Sequence, residues 1–149
     1  MKKVRAFFRM ERLLLPSTIV LREDGVLEIF PTSSVAESTR IKGSLSPREI
    51  GSILSDRLEL SLVGQKCGFS VRKVWRSMEV LDRDERKLLK HLDVDLSETV
   101  RERVRHFSEV YLARLLKNGR EYVFIADRKS IIHLKNYLVK YCLLERSTG

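Results

Sequence analysis

The stretch Leu58–Met78 reads LELSLVGQKCGFSVRKVWRSM, and how it is read decides the fold. It carries Lys66, Arg72, Lys73 and Arg76, and no acid comes after Glu59. Two incompatible readings fit it. As helices, Leu62–Cys67 is a short helix, Gly68-Phe69-Ser70 a turn, and Val71–Met78 a basic second helix. Val71, Val74, Trp75 and Met78 then share one buried stripe, and Arg72, Lys73 and Arg76 point away from it. As strands, Leu58, Leu60 and Leu62 face inward, with Glu59 and Ser61 outward. LELSLV would then pair with FSVRKVW around a GQKCG loop.

Under the helical reading, Ser46 to Leu81 resembles a helix-turn-helix. Gly64 stands at the small position of helix two and Gly68 starts the turn. Phe69 and the cap Ser70 come next, and Val71, Val74 and Met78 form the inner face. Ser77 departs from the apolar residue more usual there. The resemblance implies a DNA-binding regulator whose second helix enters the major groove. Arg72 and Arg76 would read guanine edges or hold phosphates, with Lys73 beside them. Ser70 would meet a phosphate at the helix start. Lys66 completes the basic set. Trp75 could stack on a base, although an only tryptophan on an apolar stripe is usually buried.

Charge supports a polyanionic partner. Lys and Arg number 29 against 20 Asp and Glu, a net charge of +9 with a pI near 9.8. Such a balance favours DNA, RNA or an anionic surface. Two basic blocks, Leu60–Met78 and Val110–Gly149, flank an acidic middle, and an anion-binding surface is expected to join them. Asn118, Asn136 and Gln65 are the only side-chain amides, a composition typical of thermophiles. Cys67 and Cys142 lie far apart outside any metal-binding spacing, and buried free thiols are the simpler expectation, a disulfide the alternative. No apolar run suits a signal peptide or a membrane span, so a cytoplasmic protein without a membrane partner is expected.

Elsewhere the local signals are mixed. Val4–Met10 reads as a strand, which Arg12–Leu15 could continue until Pro16 interrupts it. Thr18–Arg22 and Val26–Phe30 flank Asp24-Gly25, a hairpin cue because the turn needs positive φ. Ser46-Pro47-Arg48-Glu49 opens a helix with a cap, a first-turn proline and an acid at the third position. Ser97 to about Leu116 reads as a long helix stopped by Asn118-Gly119, and its length suggests a homodimer contact. Tyr122–Ala126 reads as a strand. Ser130–Leu144 reads as a final helix with Ile131, Ile132, Leu134, Leu138, Val139 and Cys142 inward.

Motifs of catalysis are scarce. His91, His106 and His133 have no partner at metal-ligand spacing. Asp82, Asp84, Glu85, Asp93 and Asp95 could hold a divalent metal, but helix capping explains them more simply. Ser97–Phe124 also resembles the helix-then-strand segment of archaeal tRNA-splicing endonuclease subunits, without the catalytic set.

The expected fold is therefore α+β: an N-terminal antiparallel hairpin region, then a helical C-terminal half with one added strand. The boundary falls between 1–78 and 79–149, or the chain is one domain. The expected function is nucleic-acid binding without a cofactor, DNA favoured and RNA possible. A non-catalytic subunit of a replication or RNA-processing complex and a metal-dependent nuclease are the alternatives.

Overall fold

A computed structural model describes residues 1–10, 13–31, 45–55, 57–64, 66–75 and 109–146. Their strands are β1 (Lys2–Met10), β2 (Leu13–Leu21), β3 (Val26–Pro31), β4 (Leu58–Ser61), β5 (Lys66–Trp75), β6 (Val110–Lys117), β7 (Arg120–Ala126) and β8 (Leu143–Arg146). Two helices accompany them, α1 (Pro47–Ser55) and α2 (Arg128–Tyr141). All eight strands form one sheet in the order β4-β3-β2-β1-β7-β6-β5-β8. Every neighbouring pair is antiparallel except β5 and β8. The protein is thus mostly β, and the expected helical C-terminal half is corrected. The sheet draws strands from both sides of position 78.

The hairpin at Asp24-Gly25 forms as its sequence dictates. Gly25 has φ 82°, its N–H donates to the Arg22 carbonyl at 3.2 Å, and Leu21 pairs with Leu27. Pro16 lies inside β2 rather than ending it. The described β2–β3 ladder stops at Ser17 and Pro31, so a residue without an N–H costs no bond on that side. Helix α1 starts as expected: the Glu49 N–H donates to Ser46 Oγ at 3.1 Å, and the Ser46 hydroxyl donates to Glu49 Oε1 at 3.1 Å.

The stretch Leu58–Met78 matches neither reading in full. Residues 58–61 and 66–75 are strands, so the chain offers no recognition helix there, and the groove-reading mechanism of the helix-turn-helix has no counterpart. Gly64, expected inside a helix, sits at φ 71° in a turn. Leu58, Leu60 and Leu62 are buried, and Glu59 and Ser61 are exposed, as a strand requires. Yet β4 and β5 do not pair with each other. β4 pairs with β3, and β5 lies between β6 and β8.

That arrangement forces the sheet to curl. β4 and β5 stand six places apart in the strand order. At about 4.8 Å per strand a flat sheet would separate them by roughly 29 Å. The chain from Ser61 to Lys66 spans at most about 18 Å. The sheet therefore bends round until β4 and β5 approach. One core cluster accordingly collects the inward side chains of seven strands, among them Val4, Phe8, Ile19, Leu27, Leu60, Phe69, Leu115 and Phe124. Ile131, Leu134, Tyr137 and Leu138 of α2 join it, so α2 seals the concave side.

Residues 110–117 form β6, which corrects the long helix expected up to Leu116. The central strands are buried on both faces. Ala113 and Leu115 face the core cluster, while Val110 and Leu112, also buried, alternate with them, as Phe7, Val123 and Ile125 do on β1 and β7. A strand covered on both faces loses its polar alternation and is hard to tell from a helix. Asn118 and Gly119, at φ 53° and 75°, make the tight turn from β6 to β7. The residues 97–108, the carboxylates at 82–95, His91 and His106 lie outside the described residues, as does Arg76.

Candidate functional site

The side chains expected to form one basic surface on Leu58–Met78 are divided by the pleat of β5. Successive strand residues point to opposite faces. Ser70 and Arg72 fall on the convex face with Lys66, whereas Lys73 falls on the other. Lys73 is also neutralised: its Nζ lies 3.1 Å from Glu109 Oε1. The Tyr111 hydroxyl donates to Glu109 at 2.7 Å. Those bonds, Tyr111 first and Lys73 second, hold the Glu109 carboxyl below the ordinary range. Trp75 ends β5 just after a register shift between Lys73 and Trp75. On the convex face Arg114 stands opposite Ser70. Glu121 ties Arg114 and Arg9 together at 3.6 and 3.1 Å. This region is therefore a set of cross-strand ion pairs beside one exposed arginine, Arg72.

A more coherent cationic surface lies on α2. Asp127 caps the helix, accepting from the Ser130 N–H at 2.9 Å. Ile131, Leu134 and Leu138 fix which side faces the core, and Ile132, expected inward, is 43% exposed. The solvent side then carries Lys129, His133, Asn136 and Lys140 at intervals of four, three and four residues, one stripe along the axis. Arg128 and Lys135 lie beside it, both exposed. Between Arg128 and Tyr141 the sequence holds no Asp or Glu.

The stripe borders a groove of about 470 Å³ against the start of β1 and the β2–β3 turn. Lys2 and Arg22 come from the strand wall; His133, Asn136, Tyr137, Lys140 and Tyr141 come from the helix. Lys2 Nζ lies 3.2 Å from His133 Nδ1. An ammonium can only donate, so the His133 ring nitrogen is the acceptor there. The walls are held together by two phenols. The Tyr137 hydroxyl donates to the Arg22 carbonyl and the Tyr141 hydroxyl to the Glu23 carbonyl, each at 2.7 Å. Burial pushes the Tyr137 phenol well above its ordinary range. Arg22 is committed to Asp24, and its NH1 lies 3.7 Å from Glu28. The hydrogen bond from Arg22 holds Asp24 below the ordinary carboxylate range. Among the described residues, Glu23 is the one acid lining the groove.

Of the residues nominated on Leu58–Met78, Lys66, Ser70, Arg72 and Lys73 do not line this groove. The signal that could have found it is the composition of the final helix, basic along one stripe and free of acids. Among the described residues, no three His, Cys, Asp or Glu side chains are grouped to hold a metal ion. Nor is any described helix long and apolar enough to cross a membrane. No protein-family model, curated protein or solved structure matches the chain.

Proposed function

We propose that the protein binds nucleic acid, and that the binding surface is the groove between α2 and the start of β1. The observation that supports this is the stripe Lys129, His133, Asn136 and Lys140 on a helix without acids, of which His133, Asn136 and Lys140 line the groove with Lys2. A chain with a net charge of +9 attracts polyanions in general. A row of ammonium groups on a rigid helix gives that attraction a place and a direction. The convex face of β5 offers less, because Arg114 and Arg9 are tied to Glu121, and Lys73 on the other face is tied to Glu109.

Fluorescence anisotropy on a labelled duplex of about 20 base pairs tests the reading. Three phosphates neutralised by Lys2, Lys129 and Lys140 give a slope of log K against log salt of about −2.7. Replacing Lys129→Glu and Lys140→Glu together should weaken binding by at least about tenfold in low salt. Arg72→Ala should change it by less than about twofold. A protein that fails to bind in low salt, or one whose affinity depends on Arg72 instead, contradicts the proposal.

A further inference from the structure

The means of recognition in this groove are unevenly available. Its two tyrosine rings are already engaged. Tyr137 and Tyr141 contact each other at 4.7 Å between ring centres, tilted by 50°. The Lys140 ammonium stands 5.1 Å from the Tyr141 ring. Tyr137 is buried, and both hydroxyls are spent on backbone carbonyls. A base entering the groove therefore meets no open tyrosine ring to stack on, and the remaining ring, the His133 imidazole, is already contacted at its nitrogens by Lys2.

Hydrogen-bonding forks are equally scarce. Guanine is read by an arginine fork that reaches two acceptors at once. The one arginine lining the groove, Arg22, donates Nε and NH2 to Asp24 and has NH1 against Glu28. The lysines lining the groove, Lys2 and Lys140, and Lys129 farther along the same helix face are point charges suited to phosphate oxygens. Asn136 is the one amide lining the groove, and an amide can read an adenine edge.

We infer that the groove recognises the phosphate backbone alone, so that the protein binds double-stranded nucleic acid without regard to base sequence and gains nothing from unpaired bases. This rests on the nucleic-acid reading of the same groove. The test is anisotropy on three labelled duplexes of equal length, alternating A·T, alternating G·C and mixed, with their separated mixed strands, at two salt concentrations. Dissociation constants within about threefold across the duplexes and a salt slope common to all three are expected. The single strands should bind no more tightly than the duplex, since each contact there releases fewer counterions. Asn136→Ala should leave the ratios among the three duplex affinities within about twofold of those of the unsubstituted protein. A tenfold preference for one duplex that Asn136→Ala removes, or tighter binding of single strands, overturns the inference while the nucleic-acid reading stands. Failure of every probe to bind overturns both.

Discussion

Cys67 on β5 and Cys142 at the end of α2 are joined by a disulfide, with Cα atoms 5.4 Å apart and a sequence separation of 75. The bond anchors the end of the helix that carries the basic stripe. Both cysteines are buried. Free thiols were the simpler expectation because spacing alone does not reveal pairing. Only the fold, which lays β5 beside the chain beyond α2, brings the two together.

Closing a loop of that length restricts the unfolded chain by about 4 kcal/mol. Cys142→Ser, or full reduction with a dithiol, should therefore lower stability by a few kcal/mol. Denaturant unfolding with and without reductant measures it. Equal midpoints under both conditions would show that the bond contributes nothing.

Two glycines at positive φ should respond differently to alanine. At Gly119, φ is 75° and an added Cβ would meet nothing within 4 Å. Gly119→Ala should cost about 1 kcal/mol, the backbone penalty alone. At Gly25 an added Cβ would collide with Val63 Cγ2 and fall 3.0 Å from Tyr141 Cδ1. Gly25→Ala must also displace the Leu62–Gly64 turn or the Tyr141 ring, and its cost should exceed that of Gly119→Ala at least twofold. Thermal unfolding of the two variants side by side provides the comparison.

Glu49 on α1 joins the helix to the β6–β7 hairpin. The Tyr122 hydroxyl donates to Glu49 Oε2 at 2.6 Å, and Arg120 donates to Oε1. Burial first, then the bond to Glu49, pushes the Tyr122 phenol well above its ordinary range. Above about pH 10 the unfolded tyrosine releases its proton while the folded one keeps it. The stabilisation is complete below that pH and is lost as pH rises toward the folded pKa. Tyr122→Phe should cost about 1–2 kcal/mol at about pH 8 and reduce the loss of stability between about pH 9 and 11. Urea midpoints across that range give both numbers, and an unchanged alkaline slope would place the titration elsewhere, with Tyr137 the next candidate.

Local turn chemistry was the most legible part of the chain. Asp24-Gly25 marks its hairpin because β-branched runs flank it on both sides. Asn118-Gly119 carries the same turn signal, yet the apolar run before it resembles a helix face. Val110, Leu112, Ala113 and Leu115 are all buried, two on each side of the sheet, so no period separates strand from helix. Leu58–Trp75 misled in another way. Its alternation was readable, but the curl that sends β4 and β5 to different partners depends on pairings made far along the chain. The basic surface was hidden for the same reason: Lys66, Ser70, Arg72 and Lys73 cluster in sequence, yet the pleat turns Lys73 away from the other three, while Lys2 and Lys140 come to one groove only in the folded chain.

Mapping the contact by amide chemical shifts tests the central claim most directly. Titration of the isotope-labelled protein with a short mixed-sequence duplex should perturb Lys2, Arg22 and the run from Lys129 to Tyr141, and leave Lys66 to Lys73 nearly unmoved. Perturbations centred on Ser70 and Arg72, or none at saturating duplex, would contradict it.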